Sequence, residues 1–256
     1  MARSRGSKVA IGLLVLLLIV LGVLVIVDRV AAGEAEKQIA QQSRKELTAR
    51  DVSTPSDPKV SIDGFPFLTQ VLAGKYDKIT ISIAQPKVNN VQLDKLDVVA
   101  NTVRADAQSV LKGTGDVVAD KITGTATISW DNVRPLLQLA GLPNGVDPSQ
   151  VELKVVNNQI QLRVPFTISG AKFAVTAKGT LIVESGAVQV RLDEVGSDAG
   201  KAPPFVQNVI KRYEKQLTVR VKIPQMPFKL VINRVESSSS GLMMIASADD
   251  VKLSGA

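Results

Sequence analysis

The chain has 256 residues, 45% of them hydrophobic but only 4% aromatic, and a net charge of +7. It contains neither Cys nor His, which excludes Cys/His zinc centres, Ser-His-Asp and Cys-His nucleophiles, and disulfide bracing. The length suffices for one large β-rich domain or two small ones, held by burial of Val, Ile, Leu and Ala.

The first element is the uncharged run from Val9 to Val27, 19 residues of which 16 are Leu, Ile or Val and none is Pro. As a helix it measures about 28 Å, close to the ~30 Å hydrocarbon core of a bilayer. Transfer of its apolar residues is favourable by at most about 5–10 kcal/mol. Arg3, Arg5 and Lys8 precede the run, which predicts an N-terminus in the cytoplasm and a domain in the periplasm or cell envelope. The expected organisation is residues 1–29 as a basic tip and transmembrane signal-anchor, and residues 30–256 as the exported domain. Val30-Ala31-Ala32 before Gly33 keeps open export after signal cleavage. The apolar run exceeds the 7–15 residues of an ordinary signal core, which favours a retained anchor. The leader holds a net charge of +3, and the +4 left for the domain suits an anionic surface or ordinary solvation equally well.

Residues 30–50 read as a separate helix, with Ala31, Ala35, Ile39 and Ala40 as a thin apolar stripe among Glu34, Glu36, Lys37, Gln38, Gln41 and Gln42. It is either a stalk or a helix packed on the domain. After the loop Ser53-Thr54-Pro55-Ser56-Asp57-Pro58 the period changes to two. Ile79, Ile81 and Ile83 alternate with polar residues. So do Val151 to Val155, Ile160 to Ile168, Phe173 to Val183, Val188 to Leu192 and Val219 to Ile223. With turns expected at Asn157-Asn158, Ser169-Gly170 and Ser185-Gly186, residues 151–195 form a four-stranded antiparallel meander. Pro165 on the outward phase predicts an edge strand or a bulge. Val133, Leu136, Leu137 and Ala140 predict a short helix capped by Ser129 or Asp131, and a second helix starts at Pro203-Pro204 with Val206, Val209, Ile210 and Tyr213 on one face. The chain returns to strands from Val219 to Leu253, around a turn at Ser237–Gly241. The sum is an α+β domain with a long, twisted antiparallel sheet.

Few motifs carry chemistry. Asp249-Asp250 and Asp193-Glu194 are carboxylate pairs on strands, where adjacent side chains point to opposite faces, so neither pair converges on a substrate. Gly113-Thr114-Gly115-Asp116 lacks the Lys and helix start of a phosphate cradle. Basic residues are not interleaved with aromatics, and no nucleic-acid partner is expected. No catalytic constellation, metal site or cofactor site emerges. Two stretches are distinctive: Ile62-Asp63-Gly64-Phe65-Pro66-Phe67-Leu68-Thr69-Gln70, and Ile223-Pro224-Gln225-Met226-Pro227-Phe228. The first reads as a hydrophobic turn tucked under a sheet or as an apolar lip at a ligand entrance, the second as an irregular crossover.

From Gly64-Phe65-Pro66-Phe67-Leu68-Thr69-Gln70 onward the chain resembles the LmeA-like phospholipid-binding family of exported actinobacterial proteins, formerly a domain of unknown function. The strand Tyr76 to Ile83, the helix from Pro203, and the closing pattern Ile223-Pro224, Phe228 to Val235 and Gly241 to Leu253 extend the likeness over most of residues 30–256. The resemblance implies a tubular lipid-binding (BPI/SMP-like) fold, a curved antiparallel sheet wrapped around a long helix. It implies a phospholipid ligand, phosphatidylinositol-type in particular. It also implies a role in maturation of envelope glycolipid or lipomannan beside membrane-bound glycosyltransferases. No catalytic role comes with it, so the expected protein is not an enzyme. The large apolar groups beside strand breaks and helix starts are the candidate lipid contacts: Phe65, Phe67, Leu68, Phe166, Phe173, Phe205, Tyr213 and Phe228. Lys211, Arg212 and Lys215 are candidate headgroup contacts. The competing expectation is a non-catalytic structural or partner-binding envelope protein without a lipid cavity.

Overall fold

A computed structural model describes residues 5–88, 91–105, 117–133, 150–156, 159–168, 171–184, 187–197, 207, 218–220 and 230–252. It opens with one helix of 45 residues, α1 (Arg5–Ala49), roughly 67 Å long. The expected break between anchor and second helix near residue 30 is absent. No Pro interrupts residues 5–49, and the Ala, Glu, Lys and Gln after Asp28 are strong helix formers, so nothing local ends the helix. Its two halves differ in surroundings. Leu13 to Val27 are all exposed, whereas Ala32 and Ala35 are buried and Ala31 and Ile39 pack beside them. The second half is therefore a helix packed on the domain and not a free stalk.

A small sheet joins β1 (Val52–Ser53), β4 (Lys87–Val88) and β5 (Val91–Gln92). The main body contains β2 (Lys59–Asp63), β3 (Lys75–Ala84), β6 (Lys95–Arg104), β7 (Val118–Ser129), β13 (Val231–Ser237) and β14 (Gly241–Lys252). They form a six-stranded antiparallel sheet in the order β13-β14-β7-β6-β3-β2. A short helix, α2 (Phe67–Ala73), links β2 to β3. α1 lies beside the edge strand β2, and the Glu36 carboxylate accepts the Ile62 N–H at 2.8 Å. The helix thus satisfies an edge donor that would otherwise offer a pairing template.

The central strands carry a transverse crease. Tyr76, Val103, Ala119 and Val251 lie opposite one another along β3, β6, β7 and β14, and all four are buried. The next row, Asp77, Thr102, Asp120 and Asp250, is skipped in all three pairings, although the register on either side is unchanged. Lys78, Asn101, Lys121 and Asp249 follow, and then a second core row of Ile79, Ala100, Ile122 and Ala248. Two polar rows thus separate two core rows, which strict alternation forbids. One extra residue per strand resets the phase, the effect of a bulge repeated across four strands. Thr102 and Asp250 occupy the left-handed region, with φ of 49° and 51°, at about 1–3 kcal/mol each. Both core rows belong to, or pack against, the cluster that includes Ala32, Ala35 and Phe67, so the crease keeps apolar residues on the side of α1 and α2 across the phase reset.

The second sheet contains β8 (Glu152–Val156), β9 (Gln159–Ile168), β10 (Ala171–Glu184), β11 (Ala187–Ser197) and β12 (Thr218–Arg220), ordered β12-β11-β10-β9-β8. Its first four members are the expected meander, with Val156, Ile168 and Glu184 paired to Gln159, Ala171 and Ala187 across connections of two residues. Pro165 does not sit on an outermost strand. β8 ends its pairing at Arg163, so among the described residues Pro165 has a neighbour only on the β10 side, Ala174. That stretch of β9 is a local edge, where a missing N–H is tolerated. A bulge lies between Lys178 and Gly179, opposite Asp193, which accepts from Thr180 Oγ1 at 2.9 Å, while Glu194 pairs with Lys178 at 2.7 Å. The two sheets meet where Leu181 and Val183 pack against Ile232 and Ala246, and Leu230 touches both cores.

Trp130 to Val133 begin the first expected short helix. The Asp94 carboxylate accepts the Ser129 N–H and the Asn132 amide, so the group capping this start comes from a distant loop. The rest of that helix, the helix from Pro203 apart from Gln207, the Gly113 to Asp116 stretch and the Ile223 to Phe228 crossover lie outside the described residues. The expected turn at Ser237–Gly241 is present. Ser238 donates its N–H to the Gly241 carbonyl at 2.8 Å, and the Trp130 indole donates to the Ser238 carbonyl at 2.9 Å.

Candidate functional site

The Gly64 to Gln70 motif is built around the point where α1 stops being wholly exposed. Asp28, the first charge after the apolar run, is 2% exposed. Its Oδ1 accepts the Leu68 N–H at 2.8 Å, at the start of α2. The residue at the N-cap of α2 is Pro66, whose side chain makes no capping bond; the carboxylate from α1 takes that role. Burial opposes ionisation of Asp28, but the N–H groups of Leu68 and Phe67 and the Arg29 guanidinium outweigh it, holding its pKa below the ordinary carboxylate value. Arg29 pairs with Asp28 at 2.8 Å, donates to the Gly64 carbonyl at 3.3 Å, and lies 5.1 Å from the centre of the Phe65 ring.

Gln70 ties the motif from inside. Its amide nitrogen donates to the Asp63 carbonyl at 3.3 Å, and its amide oxygen accepts the Asp77 N–H at 2.8 Å. Gly64 has φ of 103°, and a Cβ there would stand 2.6 Å from the Gln70 amide nitrogen, so a side chain is excluded both by conformation and by space. Phe67 is 5% exposed and tilts against the buried Tyr76 ring, with centroids 6.3 Å apart. Phe65 and Leu68 point outward, 61% and 37% exposed. Of the first three candidate contacts, one is core and two are surface.

Phe166 and Phe173 face one another in the β9–β10 register. Further along these strands lies an apolar surface of the five-stranded sheet. Val164 lies opposite Val175, Leu162 between Leu153 and Ala177, and Ile160 between Val155 and Gly179; Leu181 and Val183 continue the phase. Cross-strand partners and residues two apart share a face, so these side chains form one aliphatic field. Apart from Gly179 they are half-buried, unlike the fully buried row of Tyr76, Val103, Ala119 and Val251 in the creased sheet. The opposite face carries ion pairs such as Arg163–Glu152 at 3.0 Å and Lys178–Glu194 at 2.7 Å. Phe205, Tyr213 and Phe228, with Lys211, Arg212 and Lys215, lie outside the described residues.

Reading from sequence missed Asp28 and Glu36. Both are acidic residues on the same stripe as Ala32 and Ala35, at i, i+4, i+7 and i+8. An acid on the packed face of a helix signals a backbone donor waiting for it, and that was the available clue. The aliphatic field holds no nucleophile or metal ligand; its chemistry is the burial of hydrocarbon.

No curated protein and no solved structure matches the chain. The family model described as LmeA-like phospholipid-binding matches residues 26–247. The match begins two residues before Asp28 and takes in the α1–α2 clamp, the aliphatic field and the creased sheet up to Ser247, short of the crease residues of β14. With most of its length covered, the chain belongs to the LmeA-like phospholipid-binding family.

Proposed function

We propose that the chain is a membrane-tethered, non-catalytic phospholipid-binding or transfer protein of the cell envelope. The acyl chains lie on the half-buried aliphatic field of β8 to β10. The observation that carries this reading is that field, in a member of a phospholipid-binding family. Each CH₂ removed from water onto such a surface contributes about 0.8 kcal/mol, so neither aromatic anchors nor a metal are needed. In this reading the sheets curve as a tube along a long helix, Phe166 and Phe173 extend the field, and Phe205, Tyr213 and Phe228 add to it. Lys211, Arg212 and Lys215 meet the headgroup phosphate at the rim. The ligand is phosphatidylinositol-type, and the lipid serves maturation of envelope glycolipid or lipomannan beside membrane-bound glycosyltransferases.

The tether is Val9 to Val27, with the N-terminus in the cytoplasm. Cleavage before Gly33 would remove Asp28, Arg29 and Ala32, which cap α2, grip Phe65 and fill the core. That supports a retained anchor, with folded structure starting at Asp28.

The test is native mass spectrometry with lipid extraction on the full chain in a detergent free of phospholipid, compared with Ala177→Trp. Ala177 sits mid-field opposite Leu162, and the indole would occupy the space of an acyl chain. One phospholipid per chain, lost in Ala177→Trp at unchanged circular dichroism, supports the reading. Equal lipid content in both, with no uptake from phosphatidylinositol-containing vesicles, would put the partner-binding alternative in front.

A further inference from the structure

α2 carries more apolar surface than its packing uses. Phe67 and Gln70 face inward, while Leu68 and Leu72, at i and i+4, are 37% and 88% exposed, and Phe65 just ahead of them is 61% exposed. Val30 on α1 is exposed as well. Scattered exposed aliphatics need no explanation, but these four cluster where the apolar run of α1 ends.

Their position follows from two contacts already described. The Leu68 N–H is bonded to Asp28, the residue after the run, and the Phe65 ring lies against Arg29. The headgroup layer on each side of a bilayer is roughly 5–8 Å thick. With Val9 to Val27 in the hydrocarbon, Phe65 and Leu68 fall within that layer, and Leu72 is one helical turn away. Arg29 lies against the Phe65 ring, and Lys75, exposed at the start of β3, follows α2 by two residues, so positive charge borders the patch in sequence and at Phe65. An aliphatic patch with a basic border suits the boundary between lipid headgroups and acyl chains.

We propose that Phe65, Leu68 and Leu72 form a hydrophobic foot, seated in the leaflet from which α1 emerges and fixing the tilt of the domain on the bilayer. The occupant is lipid, because the patch is continuous with the exposed span of α1 and no protein segment is needed to cover it. The inference rests on the anchored reading of α1. It adds a second, rigid contact, so the domain does not swing freely about its tether. With the foot seated, the sheet that follows is held at constant height above the membrane.

The absence of Cys makes a direct test clean. Single variants Leu72→Cys, Phe65→Cys, Leu17→Cys and Ser239→Cys in the full chain are labelled with an environment-sensitive fluorophore. Each is reconstituted into phosphatidylcholine/phosphatidylglycerol vesicles bearing a nitroxide near the top of the acyl chain. Labels at Leu72 and Phe65 are expected to be quenched several-fold more than the label at Ser239, in the exposed turn between β13 and β14, and to be shielded from aqueous iodide. Quenching at Leu17 but not at Leu72 and Phe65 would overturn the foot while leaving the anchor intact. No quenching at Leu17 would overturn both. Excimer formation by pyrene at Leu72 without lipid quenching would make the patch a contact between copies of the chain, and the foot would fall. Leu72 is almost fully exposed, so its substitution does not test folding. A Leu72→Asp variant that keeps its circular dichroism should lower nitroxide quenching of a label at Phe65→Cys at least twofold.

Discussion

In the six-stranded sheet the rows of Tyr76 and Ile79 pack into the cluster that holds Ala32, Ala35 and Phe67, and the Tyr76 row is fully buried there. The five-stranded sheet leaves Ile160, Leu162, Val164, Val175 and Leu181 half-buried. Both are antiparallel and draw on the same Val, Ile, Leu and Ala. The difference lies in phase. An extra polar residue in each of four strands resets the phase of one sheet, whereas β9 and the apolar phase of β10 alternate without interruption and present a continuous aliphatic surface. The first sheet holds the fold together; in the proposed function, it does so beside the membrane while the second holds the ligand.

The sharpest way to break this comparison is to delete one large side chain from the core beneath the six-stranded sheet, where Phe67 of α2 packs on Tyr76, and one from the five-stranded sheet. Phe67→Ala should cost about 3–5 kcal/mol, as truncation of a buried aromatic does, and Leu162→Ala under about 2 kcal/mol, since half-buried surface returns less on burial. Denaturant titration of the full chain in detergent measures both, and equal losses would mean that the two sheets are packed alike. Gly64→Ala comes next, at about 1–3 kcal/mol from its left-handed backbone, with the crowded Gln70 amide adding to the loss.

Acid sharpens the comparison by location. Lys78, with help from Ser61, lowers the pKa of Asp63 against a smaller cost of burial. For Asp97, burial is the largest influence and opposes ionisation, but bonds from Lys95 and Ser82 outweigh it. Asp28 behaves similarly. Each folded pKa lies below the ordinary 3.8. These groups therefore stabilise the native state above that value, and the contribution is lost as pH falls from about 4 through the folded values. All three sit on α1 or in the creased sheet, so hydrogen exchange should show that half opening first on acidification. Asp28→Asn should destabilise at neutral pH, and its gap from the parent should narrow as pH falls from about 4 through the lowered folded pKa of Asp28.

The smallest effect is also a test of the crease. Thr102→Asn should gain about 0.5–1 kcal/mol, because Asn tolerates positive φ better than a β-branched residue. Thr176→Asn, in the uninterrupted phase of β10, should lose about 0.5 kcal/mol through lower strand propensity. The same sign at both positions would remove the crease as the distinguishing feature.

The meander of residues 151–195 was legible because each strand alternates cleanly and the turns carry Asn, Ser and Gly. The crease was equally present in the sequence but unread. Tyr76-Asp77-Lys78-Ile79, Ala100-Asn101-Thr102-Val103, Ala119-Asp120-Lys121-Ile122 and Ala248-Asp249-Asp250-Val251 all read apolar, polar, polar, apolar, and each looks like a lapse until the strands are aligned. The continuity of α1 was missed because the change in composition at Asp28 resembles a boundary, although no helix-breaking residue stands there. Within the motif, sequence could single out Phe65, Phe67 and Leu68 but not sort inward from outward. That sorting depends on Asp28, 40 residues from the N–H it caps.

The most direct test of the account is photo-crosslinking of the full chain with phosphatidylinositol carrying a diazirine in its acyl chain, followed by peptide mapping. The account predicts adducts on residues 159–168 and 171–184 in addition to the apolar half of α1, and loss of the strand adducts alone in Ala177→Trp. Adducts confined to α1 and α2, with β9 and β10 unlabelled, would contradict it and leave the five-stranded sheet without a lipid.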